Sequence, residues 1–172
     1  MRTWQSHGFA DKSIEESKAV CENVFARTLD GHPLLSNKST WRNFPWVWNE
    51  HWSHQNIVLI GDALHTAHFS IGSGTRLAIE DAIALVKAIE AETTIPAALS
   101  RYEHERKPIV QKLVKAARIS GGWYEDFASH MKLGVMDFAY SYITRSGRID
   151  DARLRAMSPA FMARYEASRN GS

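Results

Sequence analysis

The stretch Asn56-Ile-Val-Leu-Ile-Gly-Asp62 constrains this chain more than any other. An uninterrupted aliphatic run from Ile57 to Ile60 is the composition of a strand covered on both faces, as in a parallel sheet. It stops at Gly61-Asp62. A loop rich in His, Ser and Gly follows, and a helical pattern begins near Thr75. Strand, turn and helix in this order open at the carboxyl end of the strand, where α/β proteins bind nucleotides. Gly72 and Gly74 allow close approach of the backbone to a flat or anionic group, and the first amides of the following helix offer partial positive charge. Asp62 can accept hydrogen bonds from a sugar hydroxyl. The same spacing also suits a plain strand-turn-helix in which Asp62 only caps a turn, and Gly-x-Gly alone does not decide between them.

Around this stretch the pattern is mainly helical. Ser13-Ile-Glu-Glu16 forms a capping box, with Val20, Val24 and Phe25 continuing a helical face to about Thr28, where Asp30-Gly31 stops it. Trp41 to Asn49 predicts a strand, at an edge or bulge because Pro45 lacks an amide donor. After Thr75, an apolar stripe runs through Ala78, Ala82, Leu85 and Ile89, widened by Ile83 and Val86. A second helix spans Ala97 to about Ser120, kinked or restarted at Pro108, with Gly121-Gly122 as a weak point. Amphipathic pieces follow at Trp123–Met131, Val135–Thr144, Asp151–Met157 and Pro159–Ser168. The fold class expected is α+β, mainly helical.

Composition narrows the function classes. A chain of 172 residues can bury a real core, roughly 70% of its unfolded surface. Its net charge of +2 includes no basic block that reads as a nucleic-acid arm. No apolar stretch approaches the ~20 residues of a membrane span, and the N-terminus has no signal-peptide core. The single cysteine, Cys21, excludes an internal disulfide and fits a reducing cytoplasm; its helical setting predicts a buried, inert thiol. The expected location is cytoplasmic.

Several other constellations weigh less. His51 and His54, with Asp62, His65 and His68, include His-x-x-His pairs but no Glu in a helical frame between them, so no metal is expected. His65 reads as a ligand neighbour or a hydrogen-bonded loop histidine, and His68 and Phe69 as substrate-facing or as loop packing. Glu80 and Asp81 project about 100° apart on a helix and are not expected to share a site. Arg76 and Glu80 form a surface pair. Trp41, Trp46, Trp48 and Trp52 suit a sheet face or an aromatic pocket. Arg145, Arg148, Arg153 and Arg155 suit a solvated surface or a phosphate-bearing ligand.

Val58-Leu-Ile-Gly-Asp-Ala-Leu-His65, then Gly72-Ser-Gly74 and Glu80-Asp81-Ala82, resembles the second flavin motif of class A flavoprotein monooxygenases, the para-hydroxybenzoate hydroxylase fold group. The run His65-Thr-Ala-His-Phe-Ser-Ile-Gly-Ser-Gly-Thr75 is most similar to the branch acting on aromatic acyl-CoA thioesters, typified by anthraniloyl-CoA and salicylyl-CoA hydroxylases. Phe69-Ser-Ile-Gly-Ser-Gly74 also resembles the violacein-pathway hydroxylases. Softer matches include Leu29-Asp-Gly-His32, Leu35-Ser-Asn37 and Tyr102-Glu-His-Glu-Arg106. The resemblance implies FAD as cofactor, NAD(P)H as reductant and hydroxylation of an aromatic substrate, CoA-linked in that branch. It implies that Gly61, Asp62, His65, Gly72, Ser73, Gly74 and Thr75 contact FAD. Asp62 would bond the ribityl or pyrophosphate region, and the Gly72–Thr75 loop would lie under the isoalloxazine.

The family's amino-terminal Gly-x-Gly-x-x-Gly, which holds the ADP half of FAD, has no counterpart here, and His68-Phe69 stands where the broad family has proline. The resemblance therefore implies the C-terminal part of such an enzyme: residues 1–55 a truncated substrate-domain portion, residues 56–172 the C-terminal portion of the FAD domain. The alternative is a non-catalytic, helix-rich module that self-associates. The partner expected besides the small aromatic substrate is a second copy or the missing amino-terminal half, with no nucleic acid and no membrane.

Overall fold

A computed structural model describes residues 3–37 and 39–170. The chain divides into two compact units, Met1–Phe44 and Pro45–Ser172. In the first, α1 (Thr3–Ser6) precedes α2 (Ile14–Val24) and α3 (Ala26–Leu29). The capping box forms as expected: Glu16 N–H donates to Ser13 Oγ, and Ser13 N–H donates to Glu16 Oε2 at 2.8 Å. The helical face does not run unbroken to Thr28. Phe25 leaves helical geometry and separates α2 from α3, and Asp30, in the left-handed region at φ 47°, ends α3. Cys21 is half-buried rather than buried, because it lines a cavity between α2 and the segment leading to Trp41.

In the second unit the strands are shorter than the sequence suggests. β1 (Ser53–His54) and β2 (Ile57–Val58) form an antiparallel hairpin with Ser53 opposite Val58 and His54 opposite Ile57. Gln55, at φ 53°, makes the tight turn. The expectation of a parallel strand covered on both faces is corrected: Ile57 is 64% exposed. Among the described residues no further strand lies beside β2. The expected strand over Trp41–Asn49 also fails to form, leaving one bridge between Trp48 and His65. Two backbone bonds flank it, Thr66 N–H to Val47 O at 2.9 Å and Asn49 N–H to Leu64 O at 3.1 Å, and side-chain bonds add to them. Thr66 Oγ1 donates to Pro45 O and accepts from Val47 N–H, both at 2.9 Å. The lost donor of Pro45 is thereby bypassed.

The helices carry the core. α4 (Gly74–Ala91) packs against α5 (Ile95–Glu125), followed by α6 (Phe127–His130), α7 (Val135–Thr144), α8 (Asp151–Met157) and α9 (Pro159–Asn170). Thr94 caps α5 and Pro96 sits in its first turn, where no donor is needed. α5 runs unbroken through Pro108 and through Gly121-Gly122, so neither restarts nor weakens it enough to end it. Gly121 has a packing reason instead: a Cβ there would lie 3.0 Å from the His68 ring. Trp52, Leu64, Leu77, Ala88, Tyr102, Val110 and Ala117 form the main core. Trp52 is fully buried, with its ring 5.3 Å from that of Tyr102. A second cluster joins α7, α8 and α9 through Leu154, Met162 and Tyr165, with Tyr140 stacked on Tyr165 at 4.2 Å. No helix among the described residues is long and apolar enough to cross a membrane.

The buried stripe of α4 is rotated from the expected one. Leu77, Asp81 and Ala88 face inward, while Ile79, Ile83, Val86 and Ile89 are exposed. A charged residue in the inward row displaced the apparent apolar face. Gly61 closes the packing: it adopts φ 59°, and a Cβ there would lie 3.1 Å from Ala78 Cβ. Gly61→Val is expected to lower stability by about 1–3 kcal/mol through backbone strain alone, with more from collision with α4, as measured by urea denaturation. Wild-type stability in that variant would contradict this packing.

Candidate functional site

The loop from Gly61 to Gly74 starts and ends on one buried carboxylate frame. Asp81 is fully buried on α4. Its Oδ2 accepts from Gly61 N–H at 3.1 Å and lies 2.8 Å from His65 Nε2; its Oδ1 accepts from Arg106 Nε at 2.9 Å. Arg106, on α5 and 6% exposed, also donates to Leu77 O and reaches Glu80 Oε2 at 2.9 Å. The strand end, the loop histidine and both long helices are thus joined at one residue. Burial would raise the Asp81 carboxyl, but the bonds from His65, Arg106 and Gly61 outweigh it and hold the group below its usual range. The hydrogen bond from Arg76, with help from Arg106, lowers Glu80 as well.

Glu80 and Asp81 therefore do share a partner, contrary to the expectation from their angular separation. The Arg106 guanidinium is wide enough to bond both from one side. Arg76 pairs with Glu80 at 2.7 Å on the surface, as the spacing suggested.

The exposed part of the loop has a different character. Gly61–Ala63 forms a short 3-10 turn, with Asp62 exposed and accepting no hydrogen bond among the described residues. His65 is 2% exposed and turned inward to Asp81. Phe69–Ile71 forms a second 3-10 turn ending at Gly72, which sits at φ 60° with open space where a Cβ would be. Ser73 is buried, its Oγ donating to Ile71 O, and does not cap the helix. The amides of Gly74, Thr75 and Arg76 accordingly have no hydrogen-bond partner among the described residues. Three free donors at the start of an 18-residue helix are an anion- or dipole-binding end, equivalent to about half a positive charge.

His68 is half-buried against α5, and Phe69 is 71% exposed. The tryptophans form neither a sheet face nor one pocket: Trp48 and Trp52 enter the core, Trp46 stacks on His68, and Trp41 belongs to the first unit. Among the described residues no three His, Cys, Asp or Glu side chains are grouped to hold a metal ion. Sequence reasoning missed Asp81, Arg106 and Gly121 as determinants of the loop. The signal available was an acidic residue in register with Leu77 and Ala88.

Arg106→Met strands a buried carboxylate and is expected to cost about 3–5 kcal/mol, whereas Arg76→Met is expected to cost roughly 0.5 kcal/mol or less, both read from denaturation midpoints. The depressed Asp81 carboxyl gives stability that is complete above about pH 5 and is lost as pH falls through its folded value, below 3.8. Asp81→Asn should flatten that acid limb; an unchanged limb would contradict the assignment.

A family model described as an FAD binding domain matches residues 9–117. The chain is 40% identical over 157 residues to salicyloyl-CoA 5-hydroxylase of a Streptomyces species, covering 90% of this chain and 30% of that protein. It is 49% identical over 106 residues to 3-hydroxy-4-methyl-anthranilyl-[aryl-carrier protein] 5-monooxygenase of Streptosporangium sibiricum, covering 62% of this chain and 30% of that protein. It is 35% identical over 158 residues to protodeoxyviolaceinate monooxygenase of Chromobacterium violaceum, covering 91% and 40%. The chain thus spans 30–40% of the length of these curated relatives. With the family model matching most of its length, the chain belongs to the FAD-binding domain family, among the flavoprotein monooxygenases.

Proposed function

We propose that this chain is the C-terminal part of an FAD- and NAD(P)H-dependent monooxygenase that hydroxylates an aromatic ring carried as an acyl thioester. On this reading residues 1–55 belong to the substrate domain and residues 56–172 to the FAD domain. The observation that carries it is the set of unpartnered amides at Gly74, Thr75 and Arg76, beside a glycine with open space above it. An isoalloxazine fits such an end because its pyrimidine edge bears the acceptor oxygens and the negative charge of the reduced form. Bound there, FAD would supply the redox and oxygen chemistry, which no side chain provides.

The chain's own residues bind and orient. The amides of Gly74–Arg76 donate to the electron-rich edge of the ring, and Gly72 leaves room for its face. Asp62, exposed on the 3-10 turn that follows β2, would accept from a ribityl hydroxyl. Phe69 presents an exposed ring toward an aromatic substrate. His65 stays behind the loop on Asp81 and acts through the loop's position. The relatives named for a CoA ester and for an aryl-carrier protein support a thioester-linked substrate.

A second reading, a non-catalytic module that self-associates, is favoured by one observation. Ile79, Ile83 and Val86 make an exposed apolar row on α4, and Ile57 is exposed on β2. Light scattering across a wide concentration range tests it: growth of dimers or larger species supports it, and a monomer throughout contradicts it.

For the flavin reading, FAD titrated into the isotopically labelled chain should shift the amide resonances of Gly74, Thr75 and Arg76 in a saturable way. Asp62→Ala should weaken the response about tenfold, the worth of one charge-assisted hydrogen bond. Unmoved amides at millimolar FAD would overturn the assignment.

A further inference from the structure

The loop beneath the proposed flavin is gripped from behind, and the grip runs through one histidine that the chemistry does not use. His68 Nδ1 accepts from Ser70 N–H at 3.2 Å and so caps the Phe69–Ile71 turn. That turn is closed by Gly72 N–H donating to Phe69 O at 2.9 Å, and it delivers the chain to Gly74. The imidazole occupies the space left by Gly121 on α5, where any Cβ would come within 3.0 Å of the ring. Trp46 stacks on it with centroids 6.1 Å apart, and Arg118 lies over the Trp46 ring at 5.9 Å. Arg145, the residue that follows α7, donates to Ser70 O at 3.2 Å.

We propose that His68 is a positioning residue whose neutral imidazole, seated at Gly121, fixes the turn that aims the Gly74–Arg76 amides. The proposal rests on the reading of that loop as flavin-facing only for its consequence; the positioning itself is a property of the free chain. An Nδ1 that accepts from Ser70 must carry its proton on Nε2, so protonation of the ring converts the acceptor into a donor facing another donor. The loop is therefore set only while His68 is neutral.

The surroundings favour that form. Burial against α5 pulls the imidazole below its ordinary 6.5, partly opposed by Glu125 on α5. Among the described residues, the charged groups near this corner include Glu125 and Arg118 on α5 and Arg145 just after α7. A neutral-favouring histidine contributes loop order that is complete above 6.5 and lost as pH falls through its lower folded value. Flavin binding should weaken over the same interval.

Amide exchange at Ser70 and Gly72, measured without flavin, tests the positioning role, with Val110 and Ala117 in α5 as the reference for global folding. Wild type should protect both turn amides at pH 8 and lose protection, relative to α5, as pH falls below 6.5. Long-range nitrogen–proton spectra should show the Nε2–H tautomer. His68→Leu should raise exchange at Ser70 and Gly72 about tenfold, the loss of one half-buried hydrogen bond, and remove the pH response. His68→Asn, which keeps an acceptor near the same place, should recover protection and lack the pH response. Gly121→Ala, which leaves His68 present but presses on its ring, should loosen the turn with α5 unchanged. Protection at Ser70 and Gly72 that is the same in wild type and His68→Leu, or an Nδ1–H tautomer, would overturn the proposal. FAD added afterward separates the two readings: a histidine-dependent turn with amides that ignore FAD sinks the flavin assignment alone.

Discussion

The hydrogen bonds on Asp81 are the constraint on which the rest of this unit depends. A carboxylate at zero exposure in a small apolar core is costly to desolvate, and it persists only where its acceptor sites are filled. Here they are filled from three places: the 3-10 turn at Gly61, the loop at His65 and helix α5 at Arg106. None of these partners is close in sequence, so satisfying one carboxylate fixes the relative positions of all three. A hydrophobic residue at the same position would pack, but it would not specify where Gly61 stops or which way His65 turns.

This rigid base explains how the rim can remain unsatisfied. The amides of Gly74–Arg76 are left without partners because Ser73, the residue that could cap them, is turned back to Ile71 O. Gly72 takes a left-handed conformation that favours glycine, and nothing stands over it. A chain optimised only for stability would place an Asp or Ser side chain on those amides, worth about 1 kcal/mol. Leaving them open, on a loop held from behind by His65, His68 and Arg145, is the arrangement expected of a surface that receives a ligand. The family match is to an FAD binding domain, and the proposal places that cofactor's ring at this open helix end.

Much of the helical fold was legible in the sequence. The capping box at Ser13, and the bounds of Val135–Thr144 and Asp151–Met157, follow from local signals that the structure keeps. The strands were not legible, because strandedness is decided by neighbours: Ile57–Ile60 has the composition of a buried strand, yet it pairs only as a two-residue hairpin. The rotated stripe on α4 was hidden for a different reason. Apolar periodicity counts Ala78, Ala82, Leu85 and Ile89, with Ile83 and Val86, but the inward row is set by a buried acid whose partner, Arg106, lies 25 residues away. Gly121 likewise read as a break, since a glycine gives no sequence sign that an imidazole will fill the space beside it.

At the candidate site, the sequence placed Gly74 and Thr75 at the start of a helix with Gly72 just before it, and the structure puts them there; Asp62, expected at a strand end, instead lies in a 3-10 turn beyond β2, which stops at Val58. Of the two readings the sequence offered for His65, the structure shows the hydrogen-bonded loop histidine; the partner was not legible, because a loop histidine's direction depends on where the buried carboxylate sits. A crystal structure of the chain grown with FAD bears most directly on the central claim, that the open first turn of α4 receives an electron-rich planar ring. Flavin oxygens within hydrogen-bond distance of the Gly74–Arg76 amides, over an unmoved Asp81 frame, would bear it out. Flavin seated elsewhere, or those amides closed onto the chain's own carbonyls, would contradict it.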